Sequence, residues 1–330
     1  MNKRKIYYTL HSGKNSKLKY YILSYLSIYT PHWLKAWNRR RILKSLDKRE
    51  DKAYILDRVN YYNQLTSADF QPEKFQEKSL MLKDQLMTGQ KVYYLDSYSY
   101  AKSFPLENRW CLLPGDITYI PEVPSIVKSR PLQQNQENSV LLNLDKVRHF
   151  LFVHDKKKWA EKKDMVIFRG MIQEHSHSIF KKNRYDFMKM YYGDALCNLG
   201  VIDKQYPEWY TEKLTIGEHL DYKFIMALEG NDVASNLKWI MSSNSIAVMP
   251  RPTCETWFME GKLIPNYHYI EIKPDFSDLK ERIAYYLGHP KEAEAIVRHA
   301  HEYINQFRNR KREDLISYLV LQKYFDITNA

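Results

Sequence analysis

Four short stretches of this chain hold residues whose types and spacing could do chemistry. Asp96 closes the run Val92-Tyr93-Tyr94-Leu95, and its carboxylate could take a proton from a nearby hydroxyl. Arg169-Gly170 closes the run at 165–168 and offers a cation to a phosphate. Glu229-Gly230-Asn231-Asp232 is a tight glycine turn after the apolar run at 222–227, and Leu237, Ile240 and Met241 follow it at helical spacing. Asp232 is expected to cap that helix, whose first N–H groups have no internal partner. A helix start of this kind carries partial positive charge and holds phosphate well. The fourth stretch is the polar loop from Arg251 to Glu260. Together these are a candidate base, a candidate phosphate cation, a phosphate-cradling turn and a polar loop.

Each stretch follows a short run that reads as a strand, and ligands of open parallel sheets bind outside the carboxyl ends of the strands. Strands are expected at 92–95, 117–120, 151–153, 165–168, 222–227, 245–250 and 268–273. Helical patterns occupy 34–65, 73–87, 156–163, 183–199, 277–287, 291–307 and 315–325. Strands alternating with helices predict an α/β fold with a largely parallel sheet. With 330 residues the chain is long enough for two domains.

The ordered motifs from 222 to 279 resemble the C-terminal half of glycosyltransferase family 90. Those are lipopolysaccharide- and capsule-modifying transferases related to protein O-glucosyltransferases. The motifs are Leu228-Glu229-Gly230-Asn231-Asp232-Val233-Ala234-Ser235-Asn236-Leu237-Lys238-Trp239, the strand at 245–250, the loop Arg251-Pro252-Thr253-Cys254-Glu255-Thr256-Trp257 and Asp275-Phe276-Ser277-Asp278-Leu279. The similarity extends upstream to Ile167-Phe168-Arg169-Gly170 and to Asp116-Ile117-Thr118-Tyr119. It implies two Rossmann-like domains facing a cleft, the GT-B arrangement. A basic, aromatic-rich helical segment at 1–65 and the stretch 66–150 would form the acceptor-side domain. Residues 151–310 would bind the nucleotide-sugar, and a last helix at 311–330 could cross back.

The resemblance further implies an inverting transfer of a sugar, most often from a UDP-sugar, to lipopolysaccharide or another surface glycan. Such a reaction needs a base for the acceptor hydroxyl. It also needs positive charge, N–H groups or a metal for the departing diphosphate. Asp96, placed just after a strand as in the relatives, is the expected base, and Asp116 stands second. No Asp-x-Asp triplet occurs in the chain, so metal-free stabilisation by Arg169, Arg184 or Lys238 and the helix at Asp232 is expected. Gly170, Glu229, Gly230, Asn231 and Ser235 complete the expected donor site. Glu255 resembles the Glu that GT-B enzymes place on the ribose diol. The chain departs from the eukaryotic relatives at Glu229 and Asn236, where they carry Arg, and Lys238 is expected to compensate. No cofactor beyond the donor substrate is implied. The pairs His175/His177 and His299/His301 have i,i+2 spacing, which points them to different sides of a helix, so no metal site is expected.

Hydrophobic residues make up 44% and charged residues 27%, a globular composition. Cys111, Cys197 and Cys254 form no spacing motif, which suits a reducing cytoplasm. The net charge is +12, and residues 1–58 carry fifteen Lys/Arg against four Asp/Glu. That concentration predicts a polyanionic partner. The apolar run at 20–29 is too short to span a bilayer, which takes about twenty residues. Trp33, Trp37 and Arg39-Arg40-Arg41 beside it suit the headgroup level of an anionic membrane. The expected location is therefore peripheral, at the cytoplasmic face of a bacterial inner membrane. No nucleic-acid motif accompanies the charge. The alternative is a non-catalytic membrane- or polyanion-binding protein on a decayed transferase fold. Retention of Asp96, Arg169, Glu229-Gly230 and Glu255 together argues against it.

Overall fold

The computed structural model describes residues 3–68, 70–174 and 179–330. The chain begins with helices α1 (Lys3–His11), α2 (Lys17–Tyr29), α3 (His32–Lys44), α4 (Lys52–Tyr62) and α5 (Pro72–Lys78). Strand β1 (Leu80–Met81), helix α6 (Lys91–Ala101) and strands β2 (Arg109–Trp110), β3 (Ser125–Val127), β4 (Ser129–Pro131) and β5 (Ser139–Leu141) follow. Next come α7 (Lys146–His149), β6 (Lys163–Gly170), α8 (Ile179–Tyr191), β7 (Cys197–Val201), α9 (Ile216–His219) and β8 (Tyr222–Met226). The chain ends with α10 (Leu237–Met241), β9 (Ile246–Met249), β10 (Cys254–Thr256), β11 (Ile270–Glu271), α11 (Leu279–Gly288), α12 (Pro290–Asn305) and α13 (Arg310–Thr328). It divides into two compact units. The first comprises Met1–Asn15, Arg148–Pro252 and Gly261–Gln306; the second comprises Ser16–Val147, Thr253–Glu260 and Phe307–Ala330.

The first unit is built on a five-stranded sheet in the order β11-β9-β8-β6-β7, every pairing parallel. Its strands are apolar on both faces. Val166, Ile167, Phe168, Phe224, Ile225, Met226, Ile246 and Val248 are all buried, which is how central parallel strands read in sequence. Phe187, Met188 and Tyr191 of α8 pack in the same cluster as Leu279, Ile283 and Tyr286 of α11 and Ala293, Ile296 and Val297 of α12. Pro290 stands in the first turn of α12, where no N–H is needed. From β6 the chain goes out to β7, returns to the other side of β6 for β8, and continues to β9 and β11. The point where the winding reverses therefore lies between β6 and β8.

The second unit is mainly helical. Its strands form three two-stranded pairings among the described residues: β1 with β2 antiparallel, β3 with β5 parallel and β4 with β10 antiparallel. The expected second Rossmann-like sheet is not among them. Helix α13 packs on α3, α4 and α6, and Ile55, Tyr62, Leu315 and Tyr324 are fully buried there.

Several sequence expectations are corrected. Residues 92–95 lie inside helix α6, not in a strand. Residues 117–120 and 151–153 form no strand, and the helix expected at 156–163 is reduced to a 3-10 turn at Trp159–Glu161, with Lys163 already in β6. The helix expected at 34–65 is broken into α3, a 3-10 turn and α4, and that at 73–87 shortens to α5. The helix expected at 183–199 ends at Tyr191, and its last part is β7. The basic N-terminal segment is shared between units, since residues up to 15 belong to the first and those from 16 onward to the second. The loop at 253–260 belongs to the second unit.

Candidate active site

The sheet of the first unit brings five of the expected donor residues to one place. Arg169 and Gly170 end β6, and the bend at Glu229-Gly230 follows β8, so both lie at the reversal point of the sheet. Arg184, from α8, ties the two ends together. Its Nη1 donates to the carbonyl of Met171 at 3.2 Å and its Nη2 to that of Leu228 at 2.6 Å. A Cβ added at Gly230 would stand 2.9 Å from Arg184 Nη2. A side chain at Gly230 would have to push that guanidinium aside. At Gly170 the obstacle is the buried ring of Phe168, whose Cζ lies 2.6 Å from where a Cβ would be.

Both arginines are short of partners. Arg169 donates to the carbonyls of Phe168 and Asn198, each at 2.8 Å, and to Asn198 Oδ1 at 2.6 Å. The Nε atoms of Arg169 and Arg184 are buried and lack a hydrogen-bond partner. Neither guanidinium has a carboxylate within salt-bridge distance among the described residues. Burial pushes Arg184 down to about 10, partly offset by the charge of Glu229. Burial also lowers Arg169. A buried cation without a counter-ion gains when an anion arrives. Burial, with the nearby charge of Arg169, lowers His219 to about 4 despite its bond to the Thr215 carbonyl.

The other expected donor residues stand differently. Helix α10 starts at Leu237, with Asn236 as its N-cap residue, so Asp232 does not cap it. Asp232 and Lys238 are buried at 2% and 0% exposure, while Asn231 and Ser235 are exposed. Asn236 donates to the carbonyl of Met226 at 2.9 Å and so fixes the loop to the end of β8.

The acid–base candidates and Glu255 lie in the second unit. Asp96 is buried in the middle of α6, where it accepts the backbone N–H of Lys146 at 3.0 Å and so holds the start of α7. Burial raises its carboxyl, against the lowering charge of Lys146. Asp116 sits in a loop with its side chain 14% exposed. It accepts a hydrogen bond from Tyr93 Oη at 3.0 Å and pairs with the ammonium of Lys128. Glu255 is fully buried on β10. Its Oε1 takes Arg130 Nε at 2.8 Å and its Oε2 takes the hydroxyl of Tyr61. Both oxygens are thus held by protein donors. Burial raises its carboxyl, opposed chiefly by Arg130.

Sequence reasoning missed Arg130, Lys128 and Asn198. None stands in a motif: the register of β4 against β10 reveals Arg130, that of β7 against β6 reveals Asn198, and Lys128 shows only through its pairing with Asp116. Among the described residues no cluster of three His, Cys, Asp or Glu could hold a metal, and no helix is long and apolar enough to cross a membrane. His175 and His177 lie outside the described residues.

Residues 142–328 match the family model described as glycosyl transferase family 90. The chain is also 37% identical over 316 residues to the O-glucosyltransferase LpsA of Dichelobacter nodosus, an alignment that spans 94% of this chain and 96% of the relative. The family match takes in β6, Arg184, Gly230 and the sheet that places them. The chain belongs to glycosyltransferase family 90 and is a glycosyltransferase.

Proposed function

We propose that the protein transfers a sugar from a UDP-sugar to a hydroxyl of lipopolysaccharide or another surface glycan, with inversion and without a metal ion. Its similarity to an enzyme named an O-glucosyltransferase favours glucose as the sugar. The observation that carries the reading is Arg184, braced between the ends of β6 and β8 and lying against Gly230. A diphosphate at this turn meets the backbone of Gly230 and the Arg184 guanidinium, whose Nε–H is spare. Those donors are fixed before the reaction, so they can stabilise the charge that develops as UDP leaves.

The base is assigned to Asp116 in place of Asp96. Asp96 is committed to the start of α7 inside a helix, whereas Asp116 is partly exposed and oriented by Tyr93 and Lys128. In the displacement, the Asp116 carboxylate takes the acceptor proton, the acceptor oxygen bonds to the anomeric carbon, and the bond to the diphosphate oxygen breaks. An acceptor of this class is carried by the membrane, so the protein works as a peripheral enzyme on its cytoplasmic face. The test is transfer from UDP-glucose to lipopolysaccharide lacking the terminal sugar, run with EDTA. Transfer that persists in EDTA is expected. Full loss of activity restored by Mn²⁺ would overturn the metal-free reading, and no binding of UDP at millimolar concentration would overturn the donor.

A further inference from the structure

Helices α2 and α3 of the second unit leave one face bare. Leu18, Ile22, Leu26 and Tyr29 recur every three or four residues on α2, and Trp33 and Trp37 lie one turn apart on α3. Their exposures run from 52% for Ile22 to 79% for Tyr29. No residue of either helix is fully buried. Apolar side chains aligned and exposed in this way mark an interaction surface. Cations surround the strip, for Lys17, Lys19, Arg40, Arg41 and Lys44 are exposed on the same two helices. The first acidic residue of the whole chain is Asp47, so the 46 residues before it hold eleven Lys/Arg and no acid.

Charge decides what covers this face. A second copy would bring the cations that rim one strip against those that rim the other. An anionic bilayer satisfies both features. The apolar strip enters the acyl boundary, the two tryptophans take the headgroup level, and the cations meet lipid phosphates. Beside the strip, His32, Ala36, Arg39 and Arg40 join Ser103 and Glu107 around an open pocket of about 380 Å³. The Arg39 guanidinium is held over the ring of Phe104, 4.0 Å from its centroid.

We propose that the α2–α3 face is a bilayer-inserting anchor, with Ile22, Leu26, Trp33 and Trp37 in the acyl boundary and Arg39 and Arg40 holding a lipid phosphate. The anchor deepens the peripheral-membrane reading but needs neither the donor nor the acceptor assignment. Binding to vesicles in the absence of nucleotide and glycan tests it separately from transfer. The full-length protein is sedimented with phosphatidylcholine vesicles, with and without phosphatidylglycerol, at low and high salt. Strong binding to the anionic vesicles is expected, with a part that survives high salt, because apolar insertion is not screened as charge is. The triple variant Ile22→Gln/Leu26→Gln/Trp33→Gln should lose at least about tenfold in partitioning while its unfolding temperature stays put, since all three side chains are exposed. Arg40→Gln should weaken binding to anionic vesicles and leave neutral ones unaffected. Brominated lipids should quench wild-type tryptophan fluorescence, and the variant Trp33→Phe/Trp37→Phe should lose that quenching. Wild-type binding by the triple variant, or binding abolished by salt, overturns the anchor. A lipid-free dimer that the triple variant disperses shows instead that a second copy covers the face.

Discussion

At the scale of single residues, Gly230 and Arg184 act as a pair. Replacing Gly230 by Ala puts a methyl group 2.9 Å from the guanidinium and must displace it. Arg184→Met removes the cation outright. Each change should weaken UDP by about 1.5–3 kcal/mol, the worth of a hydrogen bond to a charged group. Because both act through one guanidinium, the double variant should lose little more than either alone. Calorimetric titration of UDP checks this, and losses that simply add would show that Gly230 serves the donor by another route. The two aspartates should separate just as clearly. Asp116→Asn should cut turnover by about 10²–10⁴-fold with UDP binding kept. Asp96→Asn should keep turnover within a few fold and lower the unfolding temperature, because its oxygen holds the start of α7. The opposite pattern would return the base to Asp96.

At the scale of elements, buried ion pairs hold the loop at 253–260 and helix α13 in the second unit. Arg130 grips Glu255 at 2.8 Å, and Arg58 grips Glu313 at 2.5 Å. Trp257 stacks on Tyr62 with ring centroids 3.9 Å apart and donates its Nε1–H to Glu313 at 2.6 Å. Glu255→Ala leaves the fully buried Arg130 unpaired and should destabilise the unit by about 3–5 kcal/mol. Chemical denaturation measures that loss. UDP affinity of the folded variant should match wild type, and a loss of affinity confined to ribose donors, with deoxyribose donors unaffected, would revive the ribose role. These pairs were not legible in the sequence, since each joins residues far apart in the chain. Strands β6, β8 and β9 were legible because buried parallel strands are unbroken apolar runs, and α11 and α12 because their apolar residues keep a helical period. The strand expected at 92–95 failed for a definite reason. Tyr93, Tyr94, Leu95, Asp96, Ser97 and Ala101 are all buried, so α6 is covered nearly all round and shows no amphipathic period. At Ile117 the backbone N–H and C=O are both met by the Ser129 hydroxyl, at 3.0 and 2.9 Å, in place of a strand partner. The pairing of Arg130 with Glu255 could not be read ahead, because the two stand far apart in the chain and meet only through the register of β4 against β10.

At the scale of the whole molecule, acid should act on the two units with opposite signs. In the first unit, burial lowers His219 to about 4, and burial with the charge of His299 lowers His268 to about 4. In the unfolded chain both titrate near about 6.5. Between those values the unfolded chain binds protons that the folded unit refuses. The associated stability is present above about 6.5 and is lost as pH falls toward about 4. For His219, which is 9% exposed, the loss by pH 5 is roughly 2 kcal/mol, and His268 adds to it. The second unit holds Asp96 and Glu255, which burial raises above the usual carboxylate range. A raised carboxyl penalises the charged form, so falling pH relieves the folded state. Acid should therefore loosen the first unit while the second keeps its protection. Amide hydrogen exchange at pH 7 and pH 5, corrected for intrinsic rates, resolves the two by segment. Peptides from β8, β9 and α12 should lose protection at pH 5, and peptides from α4, α6 and α13 should hold theirs. In His219→Asn the first unit should respond less steeply to pH. Equal loss in both units, or an unchanged response in His219→Asn, would show that the buried histidines do not govern the acid stability of the first unit.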